Sequence, residues 1–228
     1  TQLWDQTLED YQGFSTAHCI SNTSDGGYII TGRHSTMFSN FFLLKIGADG
    51  SIDWSEVFTG YDDSNAHHVV QTSDSGFVVT GYLEEYNSSN AYDLFILKTS
   101  NSGNEEWLQT FSSVGYDYGY SVVETYGGDI LALGETYSGP NNNQDIWLIK
   151  VNSAGELLWD LTYGGNSHDF GYSIVKADSG YVIAGDTKSF TSDNNSDIWL
   201  LRLDVPNVLH VATTGSDASG DGTEANPF

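Results

Sequence analysis

Residues 120–163 read YSVVETYGGDILALGETYSGPNNNQDIWLIKVNSAGELLWDLTY. Four short runs rich in Val, Ile, Leu, Tyr and Trp are separated by Gly-Gly, a polar Gly/Pro/Asn stretch and Asn-Ser-Ala-Gly. Runs of this length, punctuated this way, are strands, here named A to D. No sustained 3.6-residue apolar period competes with them. The pattern recurs along the chain. Trp4, Trp54, Trp107 and Trp159 stand in phase, as do Gly32, Gly81, Gly134 and Gly185, and the basic residues Lys45, Lys98, Lys150 and Arg202. A period near 50 residues with four strands per unit predicts radially arranged blades.

Counting strands sets the expected closure. Four A, four B and four C strands are present, the last being DIWLLRL from Asp197. The missing tryptophan-bearing D strand is found at the other end, as QLWDQTL from Gln2. The expectation is therefore all-β: a four-bladed β-propeller over residues 1–204, its last blade closed by the N-terminal strand, and a C-terminal extension over residues 205–228. The alternative is an incomplete ring that needs further blades. Closure would remove an exposed sheet edge. Phe42, Phe95, Trp147 and Trp199, in phase on strand C, are expected in the blade-to-blade core.

Two motifs carry a family resemblance. The turn-then-Trp segments SNSGNEEW from Ser100 and NSAGELLW from Asn152 resemble the tryptophan-docking turns of quinoprotein-type propellers. SDGGYIITG from Ser24 and DSGYVIAG from Asp178 resemble repeats of secreted bacterial and archaeal surface proteins. The resemblance implies a fold and an extracellular or cell-surface setting. It carries no quinone site, because no matching calcium- and quinone-binding residues are found.

Composition narrows the partners. Thirty-one acidic residues against 7 basic give a formal charge of −24. Direct nucleic-acid binding is excluded for want of a basic footprint. No run of about 18 apolar residues offers a membrane span. The single cysteine, Cys19, has His68, Ser121 and Ser173 as its counterparts, so it is a strand residue and forms no internal disulfide. Asn22 and Asn87 head glycosylation sequons.

The repeat stops after Pro206. The segment VLHVATTGSDASGDGTEANPF from Val208 resembles the entry to pectate-lyase-like right-handed β-helices. Val208, Leu209, His210, Val211 and Ala212 are candidates for contact with another copy or with an adjacent β-helix domain by strand addition.

Loop lengths sort the two faces of the ring. The A–B and C–D turns are minimal; the D–A and B–C loops are longer and share one face, where binding is expected. The ligand-face candidates are Tyr61, Asp62, Asp63, Tyr86, Tyr92, Tyr116, Asp117, Tyr118, Tyr137, His168 and Asp169. Aromatic rings beside carboxylates suit a glycan or a peptide. Asp117 and Asp169 align in phase, which also fits loop-shaping caps. His18 and His67 correspond to Tyr120 and Tyr172 near the inner end of the blades; with Asp62 and Asp63 they are the only weak metal candidates, calcium or zinc. No cofactor is otherwise expected. No nucleophile-elbow, zinc-protease or phosphate-loop motif appears. The reading is thus a non-catalytic extracellular structural or adhesive module, self-assembling or docked to a neighbour. A glycan-binding propeller attached to a polysaccharide-degrading β-helix is the alternative.

Overall fold

The computed structural model describes residues 4, 5, 7, 14–35, 37–85, 92–113, 115–138, 143–191 and 195–204. Fifteen strands and no helix are present among them. The first blade comprises β1 (Phe14–Asn22), β2 (Tyr28–Ser35), β3 (Ser39–Ile46) and β4 (Ile52–Phe58). The second comprises β5 (Tyr61–Gln71), β6 (Phe77–Glu85), β7 (Asp93–Thr99) and β8 (Glu105–Phe111). The third comprises β9 (Tyr118–Glu124), β10 (Ile130–Ser138), β11 (Asn143–Val151) and β12 (Leu157–Tyr163). β13 (Asp169–Lys176), β14 (Tyr181–Thr187) and β15 (Asp197–Leu203) form the fourth. Each blade is an antiparallel meander, as the turn spacing predicts. The first two are stitched together by one parallel bridge between Ser39 and Asp63. β5 extends back to Tyr61, so the D–A connection that carries Tyr61, Asp62 and Asp63 is partly strand, with an irregularity between Tyr61 and Asp63.

Alternation along strands B and C sends apolar side chains to both faces of a blade, so successive blades bury them against each other. Phe41 and Leu43 of the first blade pack on Val69, Phe95 and Leu97 of the second. Leu94 and Ile96 pack on Trp147 and Ile149 of the third. Ile146 and Leu148 pack on Ile174 and Ile183, with Trp199 alongside. Phe42 lies instead in a smaller cluster on the far face of the first blade.

The repeated glycines have a steric cause. Strand A carries a β-bulge at the same place in every blade, leaving His18, His67, Tyr120 and Tyr172 unpaired. The bulge pushes a strand-A carbonyl towards strand B. A Cβ at Gly32, Gly81, Gly134 or Gly185 would stand 2.0, 2.0, 2.1 or 1.8 Å from that oxygen. Only glycine allows the approach.

The repeated tryptophans and lysines hold the opposite, tight-turn side. Trp54 and Trp107 lie over Gly103 and Gly155 in the C–D turns of the following blade, and those glycines have φ of +82° and +83°. Trp107 Nε1 donates to Ser153 O at 3.0 Å. Trp4 docks in the same way on Gly50 and donates to Ala48 O at 3.2 Å. Lys45 bridges Asp25 (2.9 Å) and Asp53 (3.1 Å), and Lys98 bridges Asp74 (2.9 Å) and Glu106 (3.2 Å). Burial works to raise the Asp74 pKa, but hydrogen bonds from Thr72, Lys98 and Gly76 outweigh it and bring it to about 2. The lysines of the basic series are architectural, whereas Arg202 is largely exposed, 4.0 Å from Asp204. Pairing of the N-terminal strand with β15 falls outside the described residues, as do the whole segment 205–228, its candidates Val208 to Ala212 and Asn87.

Gly81→Ala should lower stability to urea by roughly 2–4 kcal/mol, because its Cβ meets backbone and cannot be accommodated by a rotamer. Gly26→Ala, with open space around it but φ of +84°, should lose only about 1 kcal/mol. Equal losses at the two sites would refute the bulge explanation.

Candidate active site

The bulges aim four rings at the centre of the propeller. His18 and His67 are neighbours at 5.7 Å, His67 and Tyr120 at 5.4 Å, and Tyr120 and Tyr172 at 5.8 Å between centroids. The equivalent positions therefore do converge. They are not arranged as metal ligands. His18 Nδ1 contacts Ala66 O at 3.1 Å, and His67 Nδ1 donates to Gly119 O at 2.8 Å, each reaching the next blade. Burial lowers the His67 pKa against the opposing effect of its bond to Gly119, keeping the ring neutral. No group of three or more His, Cys, Asp or Glu side chains among the described residues could hold a metal ion.

Beside this ring lies a field of tyrosines on the long-loop face. Tyr82 packs against Tyr92 (4.6 Å) and Tyr118 (5.1 Å), and Tyr92 packs against Tyr116 (5.3 Å). Tyr116 meets Tyr137 at 6.5 Å. Four of the predicted ligand-face tyrosines thus form one cluster with Tyr82, which sequence reasoning did not single out. Tyr61 lies apart, stacked on Phe41. Asp63 accepts from Tyr92 (3.3 Å) and pairs with Arg33 (3.4 Å); Asp62 lies in the strand irregularity before it. His168 stacks on Phe170 and accepts from the Gln144 amide at 3.2 Å. Tyr86 lies outside the described residues.

Asp117 and Asp169 require correction as ligand-face candidates, because both are fully buried. Asp117 takes hydrogen bonds from the Ser113 amide (2.6 Å) and hydroxyl (2.8 Å). Asp169 accepts from the Gly165 amide (2.9 Å), the Ser189 hydroxyl (2.5 Å) and Thr187. These are loop caps, the role that their in-phase alignment also fits.

The group best suited to chemistry was not among the candidates. Glu135 on β10 directly follows the repeated glycine, and its carboxyl is buried at the junction of Tyr120, Tyr118 and Gln144. Gln144 Nε2 donates to Oε1 at 2.9 Å. Oε2 has no partner of full hydrogen-bond geometry, although the Tyr120 hydroxyl stands close enough to act on the carboxyl. Burial raises the pKa to about 7, opposed by Tyr120 and Gln144 and reinforced by the charge of Asp117. Tyr120 and Tyr118 are pushed well above the usual phenol range, chiefly by burial, and Tyr172 is raised to about 12. The next blade places Asp186 at the position of Glu135. It accepts from Ser196 and from Tyr172, whose hydroxyl also feels Glu135. Two carboxyl groups therefore flank one tyrosine. The first two blades carry Arg33 and Tyr82 at the same position, so a repeat position that changes chemistry from blade to blade was the available signal.

A solved structure shares the fold. The likeness spans 88% of this chain and 80% of an endo-arabinase from Bacteroides thetaiotaomicron VPI-5482, at 9% identity and a TM-score of 0.51. An exo-1,5-alpha-L-arabinanase from a bovine ruminal metagenomic library matches over 87% of this chain and 77% of its own, at 11% identity and a TM-score of 0.46. A beta-1,2-mannobiose phosphorylase from Listeria innocua matches 75% of this chain and about half of its own, 51%, at 16% identity and a TM-score of 0.45. No protein-family model and no curated protein matches the sequence. The expectation of a non-catalytic structural or adhesive module is corrected accordingly. It rested on whole-chain repetition and missing motifs, yet the same propeller architecture belongs to an endo-arabinase. Catalysis in such a fold needs no contiguous motif, because its groups come from different blades.

The raised Glu135 pKa has a sign that can be tested. The folded state holds the proton to about pH 7, whereas the unfolded chain releases it near pH 4.5. Glu135 thus contributes stability below pH 4.5 that is lost as pH rises through 7, by up to about 3 kcal/mol. Glu135→Gln should leave stability unchanged at pH 4 and raise it at pH 8; urea titrations of both proteins at the two pH values provide the check.

Proposed function

We propose that the long-loop face binds a glycan and that Glu135 is the general acid in its cleavage. The observation carrying this reading is a buried carboxyl beside a field of tyrosines, with one hydrogen bond of full geometry, from Gln144, and a pKa that burial raises to about 7. Glycoside hydrolysis needs a protonated acid at the leaving oxygen and a second carboxylate. Tyrosine rings supply flat apolar surface for sugar rings, and their hydroxyls supply hydrogen bonds. The likeness to an endo-arabinase makes a glycan the favoured ligand class.

In this scheme Glu135 gives its proton to the glycosidic oxygen as the C–O bond breaks. Asp186 takes a proton from the water that adds to the anomeric carbon, so the two carboxyl groups exchange protonation states over the reaction. Tyr172, between them, holds Asp186. The charge of −24 sets neutral glycans ahead of uronate polymers, which the protein field would repel. An extracellular or cell-surface location, where such polymers are met, belongs to the same reading.

Release of reducing ends from neutral polysaccharides is the direct test. Glu135→Gln should cut the rate by at least about 100-fold while retaining glycan binding, and Asp186→Asn should act similarly. The wild-type rate should fall as pH rises past 7, where Glu135 loses its proton. Binding without turnover on every neutral glycan would dismiss the acid role, and absence of binding would dismiss the site.

A further inference from the structure

Gln144 gives Glu135 its one hydrogen bond of full geometry, at 2.9 Å to Oε1. Whatever holds Gln144 is therefore part of the same site. Its strand, β11, outruns the neighbour on its outer edge. The ladder between β11 and β12 ends at Ile146 and Tyr163, whereas the ladder with β10 continues to Asn143 and Ser138. Gln144 stands two residues from Ile146, so its N–H leaves by the edge that β12 no longer covers. A backbone N–H in that place needs an acceptor from elsewhere.

His168 supplies one. Its Nδ1 accepts from the Gln144 N–H at 3.2 Å, which leaves the ring hydrogen on Nε2. The D–A loop that carries His168 crosses the open edge closely. Gly164, at its start, lies against Asp145 so tightly that a Cβ would strike the carboxyl. The imidazole is fixed from its other sides as well. It stacks on Phe170 at 6.1 Å with the planes 6° apart, and Phe170 stacks on Tyr172 at 6.1 Å and 11°. The His168 carbonyl accepts from the Lys188 amide at 3.0 Å, and Asp169 caps the loop by accepting from the Gly165 amide at 2.9 Å. One row of stacked rings on the fourth blade thus ends at Tyr172, which holds Asp186, and begins at His168, which holds Gln144.

We infer that His168 is a positioning residue for Glu135: by fixing the Gln144 backbone it keeps Gln144 Nε2 on Glu135 Oε1 and so directs the carboxyl proton to Oε2. The inference rests on the reading of Glu135 as the acid. An amide N–H can only donate, so Oε1 must accept and the proton belongs to the other oxygen. His168 acts through β11 and not on the carboxyl itself.

Two substitutions separate positioning from packing. His168→Phe keeps a flat ring on Phe170 and removes the acceptor. His168→Asn gives up the ring and keeps an acceptor, its Oδ1, near the place of Nδ1. Both remove the titration of the imidazole, so the comparison is between them. The readout is the pH at which stability to urea loses the Glu135 contribution, and it needs no substrate. Gln144 opposes the burial that raises the Glu135 pKa to about 7, so freeing Gln144 must move that loss to higher pH. His168→Phe should shift it upwards by about one pH unit, the size expected of one hydrogen bond to a carboxylate. His168→Asn should leave it near 7. The other ionisable groups acting around Glu135 are Asp117, Tyr118 and Tyr120, and Tyr172 with its Asp186. All remain in both variants, and a Glu135→Gln background should abolish the shift. On a glycan that the wild type cleaves, His168→Phe should lower kcat about tenfold with KM unchanged, and His168→Asn should restore it.

No shift in a His168→Phe protein with native circular dichroism would overturn the proposal. Equal shifts in the two variants would overturn it in favour of ring stacking, and a shift that survives Glu135→Gln would overturn it as general destabilisation. A wild type that cleaves no glycan would dismiss the glycan reading alone, with the urea profile still deciding the role of His168.

Discussion

The close approach of one strand-A carbonyl to the repeated glycine of strand B governs the centre of this propeller. A hydrogen-bonded ladder in perfect register would send alternate side chains to the two faces of each blade and leave none to fill the axis. The bulge breaks that alternation at one residue. It can do so only where the neighbouring strand has no Cβ, and Gly32, Gly81, Gly134 and Gly185 provide that gap. His18, His67, Tyr120 and Tyr172 are consequently turned inwards, each within ring contact of the next. A backbone constraint of about one atom's width thereby sets the lining of the centre.

The two sides of the blades obey different physics. On the tight-turn side, ion pairs and docked tryptophans repeat almost without change, because each fixes one blade relative to its neighbour. Lys45, Lys98 and Lys150 are nearly buried yet paired, a geometry in which removing one partner would strand a charge. On the long-loop side the same strand positions diverge. Arg33, Tyr82, Glu135 and Asp186 follow the same glycine in successive blades, so a symmetric scaffold presents four unlike groups to one space. Repetition supplies the frame and divergence at one position supplies the chemistry.

Burial distinguishes carboxyl groups that the sequence presents as alike. Asp117 and Asp169 are satisfied by amides and hydroxyls of their own loops, and their work is structural. Asp63 is held by Arg33 and Tyr92. Glu135 receives one good hydrogen bond, from Gln144. The remainder of its surroundings is phenol and hydrocarbon, which cannot stabilise a full negative charge as water does. That difference in solvation, rather than residue type, separates a capping acid from a reactive one.

The sequence by itself determined the strands, their order within a blade and the in-phase recurrence of the tryptophans and basic residues, and the docking role of Trp107 followed from its resemblance to tryptophan-docking turns. Each of these depends on local spacing or on a residue type that one geometry demands, and a 50-residue period displays that demand several times over. The tyrosines of the long-loop face were legible for the same reason, since loop length assigns a face. Glu135 was not legible as a site. A pKa near 7 is set by what other blades bring within a few ångströms. Only the tertiary structure decides that, because desolvation sums over atoms far apart in the chain.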